Sequence, residues 1–261
     1  MRKQLLSAVL ALLSSCVCFA WKSKPDSQPI LPEVTERGRL LYEYDQAAWH
    51  ATDAVQALHP PRESVGRYIA HKSDAGWVVA FGHLNEARDK FLIAYEADQG
   101  STLKQFTVKK LDPPEGDTAF YLAAAKAIDT ALHDFRGENR PYNVAVLPAP
   151  SNQLFVYVLP AQTKTGIYPL GGDVRYLISA DGSSIFEKRQ MHKAILETPP
   201  QANVTPVEGV HTHFLSDVPE DSDVFHVLSQ EPPLPELIIN VKKEQYEILT
   251  DGTIYDRGKL K

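Results

Sequence analysis

Apolar side chains recur with helical spacing in two stretches of the chain, residues 35–58 and 117–135. A spacing of three or four residues places them on one face of a helix. In the first stretch they are Leu40, Tyr44, Ala47, Ala51, Val55 and Leu58. In the second they are Phe120, Ala124, Ala127, Ala131 and Phe135. We therefore predict two amphipathic helices, the first ended by His59-Pro60-Pro61 and the second capped by Asp117.

Most other apolar residues fall in short β-branched and aromatic runs that are separated by turn residues. These runs predict strands at 67–70, 77–81, 91–95, 103–108, 142–147, 154–159, 174–179, 185–189, 207–215, 237–241, 246–249 and 253–255. Asp181-Gly182 and Asp251-Gly252 are strong hairpin signals, and residues 223–229 have the pattern of a short helix. The predicted fold class is α+β, with two main helices packed on largely antiparallel sheets.

Residues 161–173 are rich in Thr, Gly and Pro, which is typical of a boundary between lobes. We therefore predict an N-terminal α+β lobe at 35–160 and a C-terminal β-rich lobe at 161–261. A single continuous domain is the alternative.

The first 20 residues have the three parts of a secretory signal peptide. Arg2 and Lys3 supply the positive charge, residues 5–13 form an apolar run, and residues 14–20 are small or neutral. The apolar run is shorter than the about 20 residues that a membrane-spanning helix needs. We predict a signal peptide at 1–20, a Pro-containing linker at 21–34, and no transmembrane segment after the signal.

Two cleavage sites are present in this segment. Leu13-Ser14-Ser15-Cys16 resembles the lipobox of bacterial lipoproteins, whereas Cys18-Phe19-Ala20 fits an ordinary signal peptidase that cuts before Trp21. We favour the ordinary cut, which gives a periplasmic or extracellular protein without cysteine. The alternative is a lipid-anchored form, attached to the membrane through Cys16.

Charge argues against one class of partner. Removal of Arg2 and Lys3 takes the formal net charge from −6 to −8, and the mature chain has no Lys- or Arg-rich run. A nucleic-acid partner requires a basic face, so we expect none.

The segment Val210-His211-Thr212-His213 carries the most chemistry. Alternate residues of a strand point to the same side, so His211 and His213 would present two imidazoles to one Zn²⁺ ion. Carboxylates follow downstream. We predict a metal site of His211, His213 and Asp223, with Asp217 and His192 as alternate ligands and Zn²⁺ as the possible cofactor.

The last quarter of the chain resembles the JAMM (MPN) metalloprotease family, which has two histidines in an H-x-H motif followed by a Ser and an Asp at the start of a helix. The matching residues are His211, His213, Ser222 and Asp223. The resemblance implies zinc coordination and hydrolysis of an amide bond by a zinc-bound water.

The chain departs from the pattern of that family at three points. Phe214 stands where the family usually has Pro, and Ser222 and Asp223 are adjacent rather than separated by two residues. The family's general base has no clear match, and Glu187 and Glu197 are the candidates. The catalytic residues are therefore unknown.

The mature chain as a whole resembles a family of uncharacterised exported proteins of Gram-negative bacteria, through the runs 67–70, 142–148 and 212–225. This resemblance implies export and a common fold. Because no complete catalytic set is visible, we expect a non-catalytic binding or structural role in the envelope, with a protein or small-molecule partner. The alternative is a zinc-dependent amide (isopeptide-type) hydrolase with a degenerate JAMM-like site.

Overall fold

The computed structural model describes residues 31–199 and 208–260, which form three α-helices and fourteen strands. The helices are α1 (Leu31–Gln56), α2 (Phe120–Asp134) and α3 (Asp221–Ser229). The strands are β1 (Arg67–Ser73), β2 (Gly76–Leu84), β3 (Phe91–Gln99), β4 (Phe106–Asp117), β5 (Tyr142–Pro148), β6 (Leu154–Pro160), β7 (Leu170–Gly171), β8 (Val174–Ile178), β9 (Ile185–Gln190), β10 (Ile195–Leu196), β11 (Gly209–His213), β12 (Glu236–Val241), β13 (Glu244–Leu249) and β14 (Ile254–Lys259). They form four sheets in which every pair is antiparallel except β11 with β12. The predicted α+β fold is confirmed, and the predicted signal peptide lies outside the described residues.

The first sheet is the antiparallel meander β1-β2-β3-β4, and α1 packs on it. Leu41, Tyr44 and Val55 of α1 are fully buried against this sheet, where Tyr44 contacts the Trp77 ring edge-on. Strand β4 runs well past the predicted range 103–108, because its second half is exposed and polar and so lacks the apolar alternation that predicts a strand.

The second sheet has the order β5-β6-β8-β9, and α2 lies over it. Ala124, Ala127 and Ala131 face the sheet and are fully buried, so small side chains allow a close approach of the helix. The N-cap residue of α2 is Ala119 rather than the predicted Asp117. Asp117 still holds the start of the helix from two residues earlier, since its Oδ2 atom accepts the backbone N–H groups of Ala119 and Leu122, each over 3.0 Å.

This second sheet draws strands from both predicted lobes. Strand β6 comes before residues 161–173 and β8 after them, yet the two pair directly, with Val156 opposite Tyr176. Strands β7 and β10 form a separate two-stranded sheet beside it.

The third large sheet has the order β11-β12-β13-β14, with β11 at its edge, and α3 packs on it. Helix α1 crosses α3 at Gly38. A Cβ atom at this glycine would lie 2.4 Å from Val224 Cβ and 2.7 Å from the carbonyl oxygen of Asp221. The absence of a side chain at position 38 therefore sets how closely α1 approaches the first turn of α3.

Helix α1 begins at Leu31, so the predicted linker at 21–34 is too long at its C-terminal end. Pro32 lies in the first turn of the helix, where backbone N–H groups have no intrahelical acceptor, so a residue without an N–H group costs no hydrogen bond. Within residues 31–199 and 208–260, none of the helices combines the length and the apolar character needed to cross a bilayer.

Candidate metal centre

Strand β11 turns both of its histidines to one side. Along Gly209–His213 the alternate residues His211 and His213 are buried, whereas Val210 and Thr212 are exposed. The strand is held in place by parallel pairing with β12, where His211 lies opposite Ile239 and His213 opposite Val241. The side-by-side arrangement of imidazoles expected from strand alternation is therefore present.

Asp223 reaches the same point from the first turn of α3. Its Oδ2 atom accepts the backbone N–H group of Glu220 over 2.7 Å, as in a helix capping box. This bond fixes the carboxylate, and both of its oxygens lie beside the imidazoles. The start of α3 and the position of Asp223 are thus set by the same interaction.

His192, which follows β9, completes the group. Asp173 holds it in two ways, because its Oδ1 atom accepts the backbone N–H of His192 over 3.0 Å and lies 2.9 Å from the ring Nδ1 atom. Asp173 is itself buried. The Nε2 atom of His192 therefore points away from Asp173, towards the two histidines of β11.

The four side chains meet at one point. The Nε2 atom of His213 lies 3.0 Å from that of His192 and 2.9 Å from that of His211. Asp223 Oδ1 lies 3.1 Å from His192 Nε2 and 3.0 Å from His211 Nε2, and Oδ2 lies 3.1 Å from His213 Nε2. Ligands of a tetrahedral zinc ion, each 2.0–2.1 Å from the metal, are about 3.3 Å apart. The five separations above agree with that value to within a few tenths of an ångström, and the ligand atoms of the sixth pair, His192 and His211, lie within 4.8 Å of each other.

Hydrogen bonds on the far side of two rings determine where their protons lie. Ser216 Oγ donates to the carbonyl of Val218 over 2.7 Å, so it accepts from His213 Nδ1, which is 2.7 Å away. His192 Nδ1 likewise donates to Asp173. In their neutral forms both rings then carry the proton on Nδ1, and their Nε2 lone pairs face each other. A carboxylate or carbonyl that orients a histidine in this way is the usual outer shell of a metal site.

The charges in the cluster also favour a cation. Burial alone would raise the pKa of Asp223, but the three adjacent imidazoles hold that pKa well below its usual value. Burial alone would lower the pKa of His192, but Asp173 and Asp223 hold it well above its usual value. All four residues are at least 92% buried, with exposed fractions of 8% for His192 and His211, 5% for His213 and 0% for Asp223. A buried carboxylate surrounded by three imidazoles is an environment that stabilises positive charge.

The neighbouring acidic residues of α3 are occupied by arginines. Asp221 accepts hydrogen bonds from Tyr157 Oη over 2.8 Å, Arg175 Nη1 over 2.5 Å and Arg37 Nε over 3.0 Å. Glu220 is held by Arg189, whose Nε and Nη2 atoms lie 3.0 Å and 2.7 Å from its carboxylate oxygens. These pairs fix the first turn of α3 against α1 and the second sheet, and leave Asp223 as the carboxylate that faces the histidines.

The structure brings together the three predicted ligands, His211, His213 and Asp223. Of the two alternate ligands, His192 joins them. Asp217 does not join them, because its carboxylate lies near the surface, 2.5 Å from Lys242 Nζ. Within the described residues, the side chains that can act as metal ligands and lie together are those of His192, His211, His213 and Asp223. Their ligand atoms all lie within 4.8 Å of one another. This cluster could hold a metal ion.

The two proposed general bases do not reach the cluster. Glu187 is exposed on β9, and Glu197 forms an ion pair of 2.7 Å with Arg140. Ser222, which the metalloprotease resemblance singled out, donates to the sulfur of Met191 over 3.7 Å. The metalloprotease pattern therefore matches this site in its H-x-H and Asp residues but not in a base.

Sequence reasoning missed Asp173 and its role. The signal was the preceding Gly171-Gly172, whose φ angles are +88° and +67°. A Cβ atom at Gly171 would lie 2.3 Å from the carbonyl oxygen of Ala194, and one at Gly172 would lie 2.2 Å from the side chain of Ile195. The two glycines allow β7 to approach β10 closely, and this contact brings Asp173 beside His192.

No protein-family model, curated protein or solved structure matches this chain.

Proposed function

We propose that this chain is an exported, non-catalytic metalloprotein that binds one Zn²⁺ ion through His192, His211, His213 and Asp223. The observation that carries the proposal is the convergence of three Nε2 atoms on one carboxylate. In His192 and His213 the Nδ1 atom is bound to a partner on the far side of the ring, so the Nε2 atom is the one available to a metal. When both imidazoles are neutral, their lone pairs 3.0 Å apart repel each other unless a cation lies between them. Without a metal ion, the extra proton that the raised pKa of His192 retains fills that place. A metal ion removes that repulsion without displacing either outer hydrogen bond.

Zinc fits this ligand set best. Imidazole nitrogens suit Zn, Cu, Fe and Ni, whereas Mg²⁺ and Ca²⁺ prefer oxygen ligands. Zinc takes four nitrogen, sulfur or oxygen ligands in a tetrahedron, and the separations of 2.9–3.1 Å between neighbouring ligand atoms are close to those of such a shell.

A structural role follows from the number of ligands. Catalytic zinc sites usually have three protein ligands and a water, whereas structural sites have four protein ligands. Here four side chains are available and all are buried. They come from the loop after β9, from β11 and from α3, so a bound ion would join three segments that are distant in the sequence. Its binding free energy would add directly to the stability of the fold.

Export is supported by the charged and apolar parts of residues 1–20. Outside the cytoplasm, a chain without cysteine in its mature form has no disulfide to stabilise it. A buried metal ion that joins three segments would take that stabilising role.

The second candidate is a zinc-dependent amide hydrolase. It is favoured by the geometry of His211, His213 and Asp223, the residues that the metalloprotease resemblance names as ligands, which do share one point. Against it, His192 fills the position that a catalytic site leaves to water, and Glu220 and Asp221, the nearest acidic residues in the sequence, are bound to arginines.

Replacement of zinc by Co²⁺ would distinguish the two candidates. Four-coordinate Co²⁺ absorbs visible light strongly and five- or six-coordinate Co²⁺ weakly. A closed site predicts a strong spectrum that azide does not change. An open catalytic site predicts a spectrum that changes on addition of azide.

The matched variant is His192→Ala, which removes one ligand and leaves the H-x-H motif intact. We expect this variant to acquire azide sensitivity that the parent protein lacks. If the parent spectrum already responds to azide, the non-catalytic assignment is wrong and the hydrolase becomes the better candidate.

A further inference from the structure

A cavity of about 620 Å³ lies between α1, α3 and the loop that follows β6, and none of the four clustered metal-site residues lines it. This volume is within the range of small-molecule binding sites, roughly 300–1,000 Å³. Its lining combines aromatic rings with a few polar groups. The cavity is therefore large enough for a small organic ligand.

Two acidic residues line this cavity, the partly buried Asp45 of α1 and the exposed Glu231. The Asp45 carboxylate makes no ion pair with any residue of the described ranges, and only the neighbouring Gln46 side chain lowers its pKa. Burial raises the pKa of Asp45 to about 6, so the group is still charged at neutral pH but lacks full solvation. A charged carboxylate in this setting is stabilised by any cation that can enter.

Two tyrosines beside Asp45 have unused hydroxyl groups. Tyr42 and Tyr68 line the cavity, and within residues 31–199 and 208–260 neither hydroxyl has a hydrogen-bond partner. Burial raises the pKa of both, and the negative charge of Asp45 raises them further. Both hydroxyl groups are therefore neutral at neutral pH and can donate hydrogen bonds.

Three further aromatic residues, Trp49, Tyr168 and Phe225, line the cavity. Trp49 is about half exposed and stacks on the ring of His50, which leaves its other face available. The faces of aromatic rings attract cations, with Trp the strongest. Besides Asp45, the lining contains one acidic residue, Glu231, and one lysine, Lys104, and both are exposed to solvent. Burial lowers the pKa of His226 to about 4, so this lining ring is uncharged at neutral pH.

We propose that this cavity binds a small organic ammonium ion, with Asp45 opposite its charge and the aromatic rings around its alkyl groups. A carboxylate together with several aromatic faces is the combination that recognises alkylated ammonium groups. An anionic ligand would meet the Asp45 carboxylate, and a neutral apolar ligand would leave that carboxylate unpaired. The inference is independent of the metal centre.

Isothermal titration calorimetry with choline and 3,3-dimethylbutan-1-ol tests the proposal. The two probes have nearly the same shape, and only choline carries a positive charge. We expect choline to bind one site per chain at least tenfold more tightly than the neutral alcohol. The Asp45→Asn variant should lose this preference.

Asp53→Asn is the matched control, because Asp53 lies on the same helix but is exposed and outside the cavity. It should bind choline as the parent protein does. Thermal unfolding of each variant verifies that it is folded. The absence of choline binding, equal binding of both probes, or an unchanged preference in a folded Asp45→Asn variant would each overturn the proposal.

Discussion

The Nε2 atoms of His192 and His213 lie 3.0 Å apart, and both rings use their Nδ1 atoms for hydrogen bonds on the opposite side. The two residues are 21 positions apart in the sequence, on different segments. Such contact between two nitrogen atoms is unfavourable in a protein interior unless a proton or a metal ion lies between them, and the raised pKa of His192 shows that the site favours a positive charge there. This relationship is the basis for the proposed zinc site.

The outer carboxylate Asp173 should control zinc affinity without contact to the metal. Asp173→Ala removes the acceptor of His192 Nδ1, and loss of such an outer partner usually weakens metal binding about 10- to 100-fold. Asp173→Asn keeps an acceptor oxygen, and we expect a smaller loss. Competition with a coloured zinc chelator measures both.

Asp217→Asn is the control for this series. It alters a carboxylate of the same sequence region that pairs with Lys242 at the surface, and zinc affinity should not change. An Asp173→Ala variant that binds zinc as tightly as Asp217→Asn would mean that His192 is not a ligand.

Asp221 should be important for stability because it neutralises a buried arginine. In Asp221→Ala, the Arg175 guanidinium would stay buried without a carboxylate, which typically costs about 3–5 kcal/mol. Urea unfolding of the zinc-loaded protein gives the difference in the free energy of unfolding between variant and parent.

Glu33→Ala is a suitable comparison, since Glu33 is the exposed partner of Arg37, at 3.5 Å. Its loss should lower the free energy of unfolding by less than about 1 kcal/mol. Similar losses for the two variants would be inconsistent with the buried charge network.

Gly38→Ala should destabilise the protein although it lies within a helix. At an exposed helical site this change stabilises by up to about 1 kcal/mol. At position 38 the added methyl group would overlap Val224 and the backbone of Asp221, and overpacking of this kind costs about 1–3 kcal/mol. Chemical denaturation gives the sign directly. An increase in stability would show that α1 and α3 are not in close contact.

Asp45 should make stability depend on pH in a defined direction. Burial raises its folded-state pKa from 3.8 to about 6, so the folded protein loses stability as pH rises from about 4 to 6 and does not regain it above. Asp45→Asn removes this effect. We expect the variant to be about 1–3 kcal/mol more stable than the parent at pH 8, with almost no difference at pH 4.

The measurement is the difference in unfolding free energy between variant and parent at the two pH values. Asp53→Asn, an exposed change on the same helix, should show no such pH-dependent difference. A gain for Asp45→Asn that is equal at pH 4 and pH 8 would contradict the proposed cause.

The local features of this fold could be predicted from the sequence. Strand alternation indicated that His211 and His213 share a face, and helical spacing located α1 and α2, because both signals depend on neighbours in the chain. The start of α1 was placed too late, since Pro32 suggests a linker but also fits the first turn of a helix.

The long-range features could not be predicted in the same way. His192 was only one of two alternates and Asp173 was not recognised, because their positions depend on the close approach of β7 and β10 at Gly171 and Gly172. Asp217 was an alternate to Asp223, because both carboxylates follow the H-x-H segment closely in the sequence. Its exclusion depends on the turn before α3, which directs Asp217 towards Lys242.

The metal content of the protein, purified without a histidine tag, incubated with Zn²⁺ and dialysed, tests the central claim most directly. We predict one zinc ion per chain in the parent protein and in Asp217→Asn, and little or none in the double variant His211→Ala/His213→Ala. A parent protein that retains no zinc, or a double variant that retains as much as the parent, would contradict the claim.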